Sequence, residues 1–245
     1  MMDRVLSDGL AMIASTLDRD FLSGRMKETL QLLEKYIDEI ELFNQAYGLV
    51  KVKNREELAV KHILDSLSPL RVLTKLPALA ADMVAGGDVR LGDVGSGAGL
   101  PGIPLAIALP AARVTLIERM GRRAGFLRNV QAALALRNVT VAEMEMEKHP
   151  PGEFDLLCFR AFRPLDARLL AALFRLLKPG GVLAAYKGRR DAVLAEMAGL
   201  EGLVGAWEAA PCPVPFLEEE RHVVLISPPG TPASYILQER AREDV

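Results

Sequence analysis

Asp93-Val94-Gly95-Ser96-Gly97-Ala98-Gly99-Leu100-Pro101-Gly102 decides how the rest of the chain is read. An apolar run precedes it, and Ile103-Pro104-Leu105-Ala106-Ile107 follows, so a strand enters a glycine-rich turn and leaves as a helix. Glycines there let the chain turn sharply and let a ligand approach the backbone, while the helix start presents free N–H groups. A dinucleotide fingerprint of the form G-x-G-x-x-G starting at Gly95 would require glycine at position 100, which is Leu100. The observed G-x-G-x-G, with a carboxylate two positions ahead, favours S-adenosyl-L-methionine over a pyrophosphate cofactor. Asp93, Gly95, Ser96, Gly97, Gly99 and Leu100 are therefore candidate cofactor-binding residues.

Downstream, Glu118 closes the next apolar segment, 25 positions after Asp93. A carboxylate at the end of a second strand can accept both ribose hydroxyls of a bound nucleoside; the alternative is an exposed charge at a strand end. Short apolar strands are expected over 89–94, 114–118, 139–142, 154–159, 182–186 and 223–227. Helices are expected over 103–108, 122–136, 165–177 and 192–200, with Lys178-Pro179-Gly180-Gly181 turning helix into strand. The fold class is α/β: a doubly wound, mostly parallel sheet of the S-adenosylmethionine-dependent methyltransferase type.

Upstream, Leu6, Leu10, Ile13 and Leu17, then Met26, Leu30, Leu33, Ile37 and Ile40, recur at helical spacing. Asn54 can cap a third helix whose first turn holds Glu56 and Glu57. The expected organisation is a helical cap over residues 1–80, a methyltransferase domain over 81–230 and a polar tail over 231–245.

Half of the 245 residues are hydrophobic, enough for one substantial core. The first twenty residues carry Asp3, Arg4, Asp8, Asp18 and Asp20, which excludes a secretory apolar region there, and no run is long enough to span a membrane. Cys158 and Cys212 make neither a disulfide framework nor a metal spacing, which fits a reducing cytoplasm. His62, His149 and His222 have no second ligand at metal spacing, so no metal is expected; His62 reads as a hydrogen-bonded helix residue. Within a net charge of −2, residues 119–190 carry 14 Lys and Arg against 6 Asp and Glu. Arg119, Arg122, Arg160, Arg163, Lys187, Arg189 and Arg190 follow strand ends, which would line the sheet's carboxyl edge with a basic rim for an anionic partner. Arg-rich solvated helix faces are the competing explanation.

Phe43-Asn44, His62-Ile63-Leu64-Asp65-Ser66-Leu67, the loop continuing into Ile103-Pro104, Phe126-Leu127-Arg128, Arg160-Ala161-Phe162, Lys187-Gly188 and Glu220-Arg221-His222 together resemble the glucose-inhibited division protein B family. The resemblance covers roughly residues 25–227. Members of that family are bacterial 16S ribosomal RNA guanine-N7 methyltransferases. The resemblance implies that Gly95 and Leu100 line the methionine and ribose side of the cofactor, that Met146 and Glu147 flank the adenine, and that Arg160 completes the site. It further implies that Lys187 and Arg221 lie near the target base or its phosphates, so Arg160, Lys187 and Arg221 form the candidate catalytic set. The partner would be 16S ribosomal RNA or the small ribosomal subunit, and the protein a monomer.

Phe43 stands where the family commonly has Trp, Gly48-Leu49-Val50 where it has Asn-Leu-Thr, Glu145 where it has Arg, and Phe159 where it has Ser. These departures lie nearer the RNA side than the cofactor side. A relative with another substrate, and a non-catalytic regulator that binds S-adenosylmethionine, are the alternatives.

Overall fold

The computed structural model describes residues 4–17, 22–77, 79, 88–160 and 164–231. Its sheet contains β1 (Arg90–Val94), β2 (Arg113–Ile117), β3 (Val139–Ala142), β4 (Phe154–Arg160), β5 (Leu177–Lys187), β6 (Trp207–Pro211) and β7 (His222–Ile226). The strand order is β3-β2-β1-β4-β5-β7-β6, with β7 antiparallel to both neighbours and the other pairs parallel. The order reverses between β1 and β4, so the crevice for a ligand opens there, at the carboxyl ends of the strands.

Strand side chains alternate between two apolar layers, as a sheet covered on both faces requires. Leu156 and Cys158 of β4, with Val182, Ala184 and Tyr186 of β5, join the core under the N-terminal helices. Leu157 and Phe159, with Leu183 and Ala185, face the opposite layer. That second layer is closed by α7 (Ala167–Leu176) and α8 (Arg190–Ala198). Asp166 caps α7 by accepting the Leu169 N–H at 2.7 Å. Burying Leu169, Leu170, Leu173 and Leu176 outweighs that cap, at about 1.5–3 kcal/mol per side chain against ~1 kcal/mol.

The N-terminal helices are α1 (Arg4–Ala14), α2 (Met26–Tyr47), α3 over 55–67 and α4 (Leu70–Leu73). Asn54 caps α3 as expected, accepting the Glu57 N–H at 2.8 Å. The middle of α3, Ala59–Leu64, winds as a π-helix. These helices share one apolar core with α5 (Gly102–Ala108) and α6 (Gly121–Ala133), so the cap is continuous with the sheet's own packing. The expected boundary near residue 80, Arg163 and nearly all of the tail lie outside the described residues.

Two elements depart from the sequence expectation. Strand β6 has only Trp207, Ala209 and Ala210 as apolar residues besides Pro211, a weak strand signal at a half-buried sheet edge. Strand β5 begins at Leu177 and takes in Lys178-Pro179-Gly180-Gly181, with a register shift against Phe154 and Leu156. Adding a Cβ at Gly181 would put it 2.7 Å from the Phe154 carbonyl oxygen, so the glycine permits close strand approach as well as a turn.

Candidate active site

The glycine loop leaves β1 and is held from three sides. From below, Asp93 is fully buried, and its Oδ2 accepts the Gly102 N–H at 3.0 Å. Burial pushes the Asp93 carboxyl up to about 7, partly offset by that hydrogen bond, and its Oδ1 has no hydrogen-bond partner among the described residues. From the side, Glu118 accepts the Gly97 N–H at 2.9 Å through one oxygen and the Met120 N–H at 2.8 Å through the other. From above, the buried Tyr36 hydroxyl of α2 donates to the Ala98 carbonyl at 2.6 Å. A helical cap residue thus sets the height of the loop.

Gly97 and Gly99 have left-handed φ angles of +59° and +91°. A Cβ on Gly99 would lie 2.6 Å from Ile103 Cγ1 and 3.2 Å from the Tyr36 hydroxyl, so packing alone demands glycine there. A Cβ on Gly97 would meet nothing closer than the Gly95 carbonyl oxygen at 3.7 Å. Gly97 therefore leaves open space where a ligand can approach the backbone.

In front of the loop is a cavity of about 610 Å³ lined by Val94, Gly95, Ile117, Glu118, Met144, Met146, Glu147 and, among others, Arg119 and Arg168. It falls in the range of about 300–1,000 Å³ typical of small-molecule sites. Its donor set fits S-adenosylmethionine: a carboxylate at the end of β2, apolar walls from Val94, Ile117, Met144 and Met146, and a floor at Gly95 without a side chain. Arg175 fixes the wall of the cavity that carries Met146 and Glu147, donating to the carbonyls of Met146, Glu147 and His149 at 3.1, 3.0 and 2.8 Å. Neither Arg168 nor Arg175 carried a signal in sequence beyond its basic charge.

The expected cofactor residues divide between these roles. Gly95, Glu118, Met146 and Glu147 line the cavity. Asp93, Ser96, Gly99 and Leu100 are buried behind it, and Ser96 donates its hydroxyl to the Asp93 carbonyl at 2.8 Å. Glu118 is 4% exposed, so it is not a free charge at a strand end.

Arg160 is placed with the other two candidate catalytic residues. Arg160, Lys187 and Arg221 line a second cavity of about 280 Å³ together with Asp65, Pro69, Tyr186, Gly188, Cys212 and His222. Topology brings them together: Arg160 pairs in register with Tyr186, Lys187 pairs with His222, and Arg221 directly precedes that histidine. Arg160 donates to Asp65 Oδ2 at 2.8 Å, to the Lys61 carbonyl at 3.4 Å and to His62 Nδ1 at 3.0 Å. Burial, and then the Arg160 charge, lower the His62 pKa to about 4, so the ring is neutral and can accept that bond. Arg221 Nε meets the other oxygen of Asp65 at 3.1 Å. Lys187 is paired with Glu196 at 2.7 Å.

Of the six described residues expected in the basic rim, four are held by protein groups, Arg160 and Lys187 as above and two more as follows. Arg122 donates to the Ala46 carbonyl at 2.7 Å and lies over the Tyr47 ring at 4.6 Å, while Arg189 is paired with Asp191. Arg119 and Arg190 are exposed. Asp65 and Glu196, distant in sequence from Arg160 and Lys187, and Asp191 beside Arg189 account for the four held cations, together with the Ala46 carbonyl and the Tyr47 ring at Arg122. Among the described residues, no group of three or more His, Cys, Asp or Glu could hold a metal, and no helix is long and apolar enough to cross a membrane.

The local departures from the family pattern have physical readings. Phe43 packs edge-on against Phe126 and Tyr47, as a larger aromatic could. Asn44 clamps the backbone N–H and carbonyl of Val50 at 2.9 and 3.0 Å, which leaves the side chain at position 50 free to vary. Phe159 is buried in the second apolar layer, and Glu145, paired with Lys148, lines the cavity of Gly95 and Glu118 rather than that of Arg160 and Arg221, so this departure lies on the cofactor side, contrary to the expectation from sequence.

Comparison with known proteins agrees with this geometry. The family described as rRNA small subunit methyltransferase G matches residues 29–224. A ribosomal RNA small subunit methyltransferase G of Treponema denticola is 37% identical over 221 residues, covering 81% of this chain and 86% of the relative. The protein of that name from Treponema pallidum is 41% identical over 202 residues, covering 81% and 85%. One from Xanthomonas campestris is 38% identical over 224 residues, covering 90% and 92%. The chain belongs to the rRNA small subunit methyltransferase G family and takes S-adenosylmethionine as its cofactor.

Proposed function

We propose that the protein methylates N7 of a guanine in 16S ribosomal RNA. The observation that carries this reading is the pairing of a nucleoside-sized cavity, closed by Glu118 and Met146, with a separate arginine-lined cavity at the same strand edge, in a chain of this family. When bound, S-adenosylmethionine supplies a methyl group activated by its sulfonium charge.

Guanine N7 carries an available lone pair, so the chain needs no base to create the nucleophile. That agrees with the lining of the second cavity, which offers cations and a carboxylate already bound to two of them. The protein's contribution is positioning. Gly97 and Glu118 fix the cofactor side, and Arg160, Lys187 and Arg221 hold the anionic nucleotide, where orientation is worth on the order of 7–11 kcal/mol of barrier. Covering the site with RNA and the apolar walls excludes water from the transfer.

The test is transfer of labelled methyl from S-adenosylmethionine to purified small ribosomal subunits and to free 16S RNA, followed by nuclease digestion and mass analysis. One N7-methylguanine is expected. A methyl on another base, or transfer only to protein or small molecules, overturns the proposal.

A further inference from the structure

Asp65 lies in α3, 95 residues before Arg160 and 156 before Arg221, yet it touches both. Its side chain is 9% exposed, and each of its oxygens meets a different guanidinium. Arg160 is further tied by the Lys61 carbonyl and His62 Nδ1, both from the π-helical stretch of the same helix. Among the described residues, these contacts occupy three of the five N–H donors of Arg160. Arg221 is also tied through its Nη1 to the Glu220 carbonyl at 2.9 Å. Both guanidiniums are therefore fixed in place, with donors left over, at the wall of one small cavity.

The charges of that wall can be matched by partner. Asp65 offsets one of the two arginines and Glu196 offsets Lys187. Among the described residues, Arg160, Arg221 and Lys187 set against Asp65 and Glu196 leave one positive charge at this wall. That is the complement of a single phosphodiester, and two preset guanidiniums suit its oxygens geometrically.

Resting on the function proposed above, we infer that Asp65 is a positioning residue, which holds Arg160 and Arg221 as a paired cradle for one phosphate group of the RNA. Asp65 does not meet the RNA as an attractive charge. Its carboxylate repels phosphate, so its use lies in the orientation it gives the arginines. Orientation and attraction then respond in opposite directions when it is removed.

The test compares Asp65→Asn with the wild-type full chain, using small ribosomal subunits as substrate. Asp65→Asn is expected to lower kcat at least tenfold, because the guanidiniums lose their anchor. Its KM for RNA should stay within twofold or fall, because the cavity gains a positive charge. Its log–log salt slope for RNA binding should steepen by up to about 0.7, the increment for one further phosphate on a single strand. Cofactor affinity should be unchanged, since Asp65 does not line the larger cavity. Asp65→Glu, which keeps the carboxylate, should recover most of kcat and the wild-type slope.

A kcat within twofold of wild type overturns the inference, as does a loss of kcat matched by an equal loss of cofactor affinity. If Asp65→Asn does not fold, Asp65→Asn with Arg221→Gln, which removes both charges of one pair, is compared with Arg221→Gln alone. A further fall in kcat supports the anchoring of Arg160, and equal kcat overturns it. If the wild type transfers no methyl to ribosomal RNA, the functional reading fails by itself. The salt slope then decides the role of Asp65: a steeper slope in Asp65→Asn supports the cradle, and an unchanged slope overturns it.

Discussion

Replacing Glu118 by Gln separates two jobs of one carboxylate. Its oxygens accept the Gly97 and Met120 N–H groups at 2.9 and 2.8 Å, from a side chain that is almost fully enclosed. Glutamine keeps the shape but offers one oxygen, so one N–H faces an amide NH2 and loses its acceptor. A hydrogen bond to a charged group contributes about 1.5–3 kcal/mol, so that loss is expected to appear as reduced stability before any ligand is added. For a chain of this size each kcal/mol moves the midpoint by roughly 2–4 °C, which gives a fall of about 3–12 °C by scanning calorimetry. Cofactor affinity should fall separately, by roughly 10–150-fold in titration calorimetry, if the same group also accepts ribose hydroxyls. An unchanged midpoint in the cofactor-free variant would refute the loop-latch argument. Unchanged affinity with a lowered midpoint would leave Glu118 as a latch and remove the ribose contact.

Tyr36→Phe removes the donor to the Ala98 carbonyl and should cost about 1–3 kcal/mol in denaturant unfolding, with weaker cofactor binding, because the loop loses its upper support. Gly97→Val meets no neighbour but forces a β-branched residue to φ +59°, so it should strain the loop, fill the space left for a ligand and abolish cofactor binding in calorimetry, whereas Gly99→Ala should lose stability through its clash with Ile103. Asp93 keeps its proton in the fold up to about 7, against 3.8 as its ordinary value, so stability from this group is full below about 4 and is lost as pH rises through 7. Asp93→Asn should flatten that decline in pH-dependent unfolding. His62 acts in the opposite sense, because its pKa falls to about 4 in the fold: its contribution is present above about 6.5 and is lost as pH falls through 4, a loss that His62→Gln should remove.

Much of the fold was legible because its signals are local. The glycine loop, the apolar runs of β1 to β4 and β7, and the Asn54 cap each declare themselves within a few residues. β6 did not, since Glu208 and two alanines at a sheet edge lack the β-branched pattern of a strand. At the site, the residues of the loop were legible but their division of labour was not. Whether a carboxylate meets a ligand or a backbone N–H depends on how the loop curls against β2, as Glu118 shows. The motif His62-Ile63-Leu64-Asp65 stood out only as a family pattern. The arginines that give it meaning come from strand ends far along the chain. The same distance in sequence hid Asp65 as the partner of Arg160.

The most direct measurement is mass mapping of 16S ribosomal RNA from a strain lacking the gene, beside the same strain complemented with the wild-type chain and with Gly97→Val. One N7-methylguanine should vanish on deletion, return with the wild-type chain and stay absent with the variant that cannot hold the cofactor. Small-subunit RNA with an identical methylation pattern in all of these strains would contradict the account.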